Sequence, residues 1–250
     1  MRFFSSGKTE PDHLMLEIDG HPVRVAVRRH ARASRYSLRL PTAGGDPVLT
    51  IPMRGSFRTA QQFAEDHRSW LAERLRKAPP AQPFVAGSEV PLRGLVHRIE
   101  HVPTTRGTVK RREGPEGPML VVAGDEPHLA RRLTDYLKKE ARADLNEAVE
   151  RHASTLRLSH PRARQPSGIT IRDTRSRWGS CTAEGRLSFS WRLVLAPPFI
   201  LDYVAAHEVA HLVEMNHSDR FWAVTQDLFP EADHARAWLR RHGGALHSYG

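Results

Sequence analysis

Through the first fifty residues the hydrophobic positions fall at every second place. Val23, Val25 and Val27 alternate with Arg24, Ala26 and Arg28, and Tyr36, Leu38 and Leu40 alternate with Ser37 and Arg39. Successive side chains of a strand point to opposite faces, so this period predicts half-buried strands across residues 1–55. A loop rich in glycine and proline, residues 41–47, precedes Val48, Leu49 and Ile51. The spacing then lengthens. Phe63, His67, Trp70, Leu71 and Leu75 recur at helical intervals behind Thr59 and Gln62, which read as a capping box. This predicts a helix ended by Ala78-Pro79-Pro80, with His67 on its core face. Residues 84–123 return to strands around a hairpin loop at Gly114 to Pro118.

Asp125 then caps a long helix running to about Leu156, whose Leu129, Leu133, Leu137, Ala141, Leu145, Ala148 and Val149 form one apolar stripe. The change near Gly124 divides the chain into a β-rich part with one helix, residues 1–124, and a second part, residues 125–250; the two also read as one continuous domain. Ile169 and Ile171 alternate with polar residues, SRWGSC interrupts them, and Leu187, Phe189, Trp191 and Leu193 resume the period. A hairpin turning near Ala183-Glu184-Gly185 follows from this. Ala196-Pro197-Pro198 opens a helix expected to stop near Glu214 or Met215, since proline suits the first turn. Ser218 caps the next helix, and Pro230 opens a last one stopped by Gly243-Gly244.

Candidate chemistry concentrates in HEVAHLVEMNH. His207 and His211 are four residues apart, so on a helix both imidazoles leave one face. Glu208 is too near His207 to be a good ligand, but it is placed to accept a proton from a water on the metal. His217, reached after Asn216 turns the chain, supplies a third ligand and leaves the fourth tetrahedral position to water, as catalytic zinc requires. Glu231, Asp233 and His234 are the alternatives for that third place. Arg175, Arg177 and Tyr203 are candidates to stabilise a tetrahedral oxyanion, a role the spacing leaves open. The hairpin leading into the metal helix offers a strand on which an extended peptide can pair, so a protein or peptide substrate is expected.

Composition narrows the class. A 39% hydrophobic, 26% charged chain of 250 residues is that of a soluble globular protein. Residues 1–11 lack the apolar core of a secretory signal, no segment approaches the length of a membrane span, and the single Cys181 excludes a disulfide framework. The cytoplasm is the expected location. The net charge of +10 comes mostly from arginine, with only five lysines. Such a field attracts polyanions, so the arginines at 28, 29, 32, 35 and 39 read either as a solvated strand face or as a nucleic-acid contact. Two other functions therefore stand beside a peptidase: a nucleic-acid-associated protein with a structural metal, which needs Cys181 as a fourth ligand, and a metal-dependent hydrolase of non-peptide substrates.

HEVAHLVEMNHSDRFW, preceded by SRWGSC and RLSFSWRLVLAP, resembles the YgjP-like metallopeptidases, relatives of SprT and Spartan-type zinc proteases. RRHARASRYSLRLP is similar to the basic strand pair that opens those proteins. The resemblance implies a zincin-like α+β catalytic domain with zinc on His207, His211 and His217 and with Glu208 as the catalytic residue. Glu214 stands where metzincins have glycine, and no Met-turn follows, which sets the chain apart from that wider class.

Overall fold

A computed structural model describes residues 11–41, 45–104 and 107–250. Residues 1–10 of the segment read for a secretory signal, and the middle of the 41–47 loop, lie outside the described residues. Packing divides the chain into two units, residues 1–80 and 81–250.

In the first unit, β1 (His13–Ile18), β2 (His21–His30), β3 (Ser37–Arg39) and β4 (Val48–Pro52) form a sheet in the order β1-β2-β4-β3. Leu14, Leu16 and Ile18 face inward at every second position, with exposed Met15 between them. Asp19 and Gly20, both at positive φ, close the β1–β2 hairpin in two residues, the backbone twist that such a turn requires. Helices α1 (Phe57–Asp66) and α2 (Arg68–Lys77) complete this core through Ala60, Ala64, Leu71 and Ala72.

Two local expectations change here. Ser56, not Thr59, caps α1, because its Oγ accepts from the Thr59 amide at 3.0 Å, and the single expected helix breaks at His67. His67 is exposed rather than in the core. Its ring stacks on Phe63 at 4.1 Å and its Nδ1 reaches the Phe63 carbonyl. The arginines at 28, 29, 32, 35 and 39 are all exposed.

In the second unit, β5 (Glu89–Leu92), β6 (Leu95–Val102), β7 (Lys110–Gly114) and β8 (Gly117–Ala123) repeat the first sheet's plan. The order is β5-β6-β8-β7, with antiparallel, parallel and antiparallel pairings in the same sequence. A second two-residue turn at positive φ, Arg93-Gly94, matches Asp19-Gly20. The sequence break near Gly124 and the packing break after Pro80 differ because Val90, Leu92, Ile99, Leu120 and Val122 share a core with α3 (Leu129–Ser159). A 3-10 turn, Glu126–His128, intervenes between Asp125 and α3. The stripe from Leu129 to Val149 is buried as its period predicts.

A third sheet, β10-β11-β9, is built from β9 (Gly168–Arg172), β10 (Gly179–Cys181) and β11 (Arg186–Ser190). β11 pairs antiparallel with β10 and parallel with β9. The alternation expected through Leu193 stops at Ser190, where Trp191–Leu195 becomes a 3-10 turn with every residue buried. Helix α4 (Pro198–Ala210) follows and is apolar on almost every side, which places it in the interior against α3.

The turn Arg93-Gly94 fixes the entry to α4. Its amides donate to the carbonyls of Val194 and Leu195, and the Arg93 guanidinium bridges Asp144 and Glu140 of α3. A Cβ on Gly94 would lie 3.1 Å from the Pro197 Cα, so glycine allows this approach. On α4 itself, Asp202 accepts from His152 and Arg151 of α3. Helices α5 (Asp219–Leu228) and α6 (Ala232–Leu246) close the unit. α6 runs through Gly243 and Gly244 instead of stopping there, because Gly243 packs against the Trp178 ring, 3.1 Å from where its Cβ would stand. Among the described residues, no helix is long and apolar enough to cross a membrane.

Candidate metal centre

Helix α4 ends sooner than its sequence suggests. Ala210 is its last residue and His211 its C-cap, but His211 keeps helical angles, φ −65° and ψ −12°, and so remains on the same face as His207. The chain tightens, with the Leu212 and Val213 amides donating to Val209 and Ala210, and then turns back. Ser218 restarts the helix by accepting from the Phe221 amide at 3.4 Å. This cap fixes where the preceding His217 points.

The three imidazoles converge. Nε2 of His217 lies 3.1 Å from Nε2 of His207, and the ligand atoms of His207, His211 and His217 all fall within 4.8 Å of one another. A tetrahedral zinc about 2.0–2.1 Å from each nitrogen separates its ligands by roughly 3.3 Å, so the residues fit such an ion. Their chemistry fits as well. The Glu214 carbonyl, which can only accept, lies 2.9 Å from Nδ1 of His211, so that nitrogen carries the proton and Nε2 keeps its lone pair. Burial, then the charges of His211 and His217, then Arg236, push His207 down to about 3, which leaves it a neutral donor. Burial lowers His211 as well, against its bond to Glu214. Fully buried Phe221 lies under all three rings, with centroids 4.9, 4.4 and 4.7 Å from those of His207, His211 and His217.

Glu208 lies beside this cluster and is only 4% exposed. Burial pushes its carboxyl up to about 8, against the opposing pull of the Arg177 charge. Its place depends on Gly179 in β10. A Cβ there would fall 2.5 Å from Oε1 of Glu208, 2.6 Å from Cγ and 2.8 Å from Cδ, so the carboxylate rests on bare backbone. Arg177, Gly179, Ser180, Cys181 and Met215, with Glu208 and the three histidines, surround a cavity of about 230 Å³.

The sequence profile of the YgjP-like metallopeptidase domain matches residues 34–242. The chain belongs to this family. No protein of curated function and no solved structure matches it. Membership makes the chain a metallopeptidase at the level of the family, which implies a metal and peptide substrates.

Within this YgjP-like domain, the alternative third ligands Glu231, Asp233 and His234 do not join the cluster. His234 stacks on Phe199 at 5.2 Å, and Asp233 bonds Arg236 at 3.0 Å. Cys181 lines the cavity but does not join the three histidines, and burial, followed by the Glu208 charge, pushes its thiol up to about 11. Tyr203 is buried behind His207, its hydroxyl 3.5 Å from Nδ1 and its ring against Phe229. Arg177 reaches the cavity, whereas Arg175 does not line it. Gly179 escaped the sequence reading. Its only signal was a glycine inside a short strand, which often marks a close approach.

Proposed function

We propose that the protein is a zinc-dependent peptidase, with His207, His211 and His217 as metal ligands and Glu208 as general base. The observation that carries this reading is the convergence of three imidazoles next to a buried carboxyl group. Bound there, zinc supplies a Lewis acid that acidifies a water and polarises a peptide carbonyl.

The chain's own residues do the rest. Glu208, buried beside the three imidazoles, takes the proton of the attacking water and hands it to the leaving amine. Gly179 holds that carboxylate close, and Phe221 with the Glu214 carbonyl keeps the imidazoles aimed inward. Arg177, at the cavity wall, is the cation available to a developing oxyanion, whereas Tyr203 is occupied behind His207. β10 is an edge strand of its sheet, a position from which an extended peptide can be paired. A lone thiol fits a reducing compartment, so we place the protein in the cytoplasm.

Glu208→Gln tests the reading. The variant should keep its metal and lose peptide hydrolysis by at least about a hundredfold, the lower end of general-base contributions. Hydrolysis at the wild-type rate would remove Glu208 from the mechanism.

A further inference from the structure

The third sheet has two unlike faces. Across its strands Gly179 pairs with Phe189, and Phe189 with Ile171; this apolar row faces the core and Glu208. One residue along, Ser180 pairs with Ser188 and Ser188 with Thr170, so a row of hydroxyls crosses all three strands on the opposite face. Arg172 and Arg186 share that face by the same alternation, and Arg177 stands at its edge. Together they line a groove of about 400 Å³ with no carboxylate among its described lining residues. Glu184 acts on Arg186 from the hairpin turn, but Arg164 acts on it more strongly, and Asp173 is taken up by Arg192. The guanidinium groups of Arg172, Arg177 and Arg186 form no hydrogen bond or ion pair among the described residues; Thr174 and Thr182 bond only the main chains of Arg177 and Arg186, and the Glu208 charge acts on Arg177 through space.

The groove is continuous with the cavity at Glu208, because Arg177, Gly179 and Ser180 line both. Guanidinium groups and hydroxyls are donors that match carboxylates, and a peptide held along β10 would carry alternate side chains onto this face. We propose that the groove is a specificity subsite for acidic side chains of the peptide substrate, on one side of the scissile bond. This rests on the peptidase reading for the word substrate, though not for binding itself.

The test uses the full chain and fluorescent peptides of matched length, carrying Glu, Gln or Lys at each position on either side of a cleavable bond. Binding is read with Glu208→Gln and cleavage with the unmodified protein. Glutamate peptides should bind more tightly than glutamine ones by about three- to fivefold for each guanidinium engaged, and the advantage should shrink as salt rises. Arg172→Gln with Arg186→Gln should bring the Glu-to-Gln ratio of both binding and kcat/KM close to one, with far-ultraviolet circular dichroism confirming the fold. Peptide cleavage indifferent to glutamate overturns the subsite and leaves the peptidase intact. Binding of glutamate peptides that depends on Arg172 and Arg186, without cleavage of any peptide, supports the subsite and removes the peptidase. An equal preference on both sides of the bond overturns the proposal. So does displacement of the peptide by a single-stranded oligonucleotide at lower concentration than by unlabelled glutamate peptide, which would make nucleic acid the occupant.

Discussion

Gly179→Ala tests the positioning of Glu208, the proposed general base, separately from the proposed metal ligands. A Cβ at residue 179 would fall 2.5 Å from Oε1 of Glu208. Ordinary contact begins near 3.5 Å, so the carboxylate would have to retreat by about 1 Å. Residue 179 lies outside the left-handed region, so alanine brings no backbone strain and even removes some freedom from the unfolded chain, about 0.4–1 kcal/mol in favour of folding. Crowding against a buried Glu208 works the other way by roughly 1–3 kcal/mol, so the variant should fold with a small loss of stability. Its activity should suffer far more, because displacing a catalytic group by about 1 Å can lower the rate about a hundredfold. The assay is kcat/KM on a cleavable peptide, together with metal content and thermal melting. Unchanged metal and a modest shift in melting, with a large fall in kcat, are expected. A well-folded variant with wild-type kcat/KM would refute the idea that bare backbone at 179 sets the carboxylate.

Three further outcomes follow from the packing around α4. Desolvation pushes the Asp202 carboxyl up, but the hydrogen bond and charge of His152, with Arg151, outweigh it and hold the group below its usual value. A depressed carboxyl stabilises the fold above its unfolded pKa and loses that contribution as pH falls through its folded value. Asp202→Asn should therefore destabilise the protein at neutral pH and flatten its acid unfolding limb, as followed by urea denaturation across pH. Tyr203→Phe, which removes the hydroxyl behind His207, should weaken metal retention about tenfold or less in a chelator competition, since supporting bonds of this kind are worth about 10- to 100-fold and this one is long. Leu137→Ala opens a fully buried position in α3 and should destabilise by about 2–5 kcal/mol in denaturant titration while leaving metal stoichiometry at one measured temperature unchanged.

Much of the molecule was legible where one physical cause acts alone. The α3 stripe follows the helical period because that face is buried from end to end, and Ser218 was readable as a cap because hydroxyls satisfy free helix amides. The spacing of His207, His211 and His217 anticipated their convergence, since helix geometry fixes the first pair and a short turn constrains the third. Elsewhere tertiary contacts decided. Gly243 and Gly244 stay helical because Trp178 packs over the first of them, and the α1–α2 break at His67 left no clear mark in the apolar period. The shared plan of the two four-stranded sheets lies in pairing order rather than residue identity; only the turns Asp19-Gly20 and Arg93-Gly94 hint at it. The cradle under Glu208 was invisible for a related reason. Gly179 and Glu208 meet only when β10 is laid against α4.

Metal content by elemental analysis, on protein purified without chelator, tests the central claim most directly when His217→Ala and His234→Ala are measured beside the unmodified chain. About one zinc per unmodified chain, lost in His217→Ala and kept in His234→Ala, is the predicted result, because only the former belongs to the converging cluster. A well-folded unmodified protein that holds no zinc and takes none up, or equal loss in both variants, would contradict the three-histidine site.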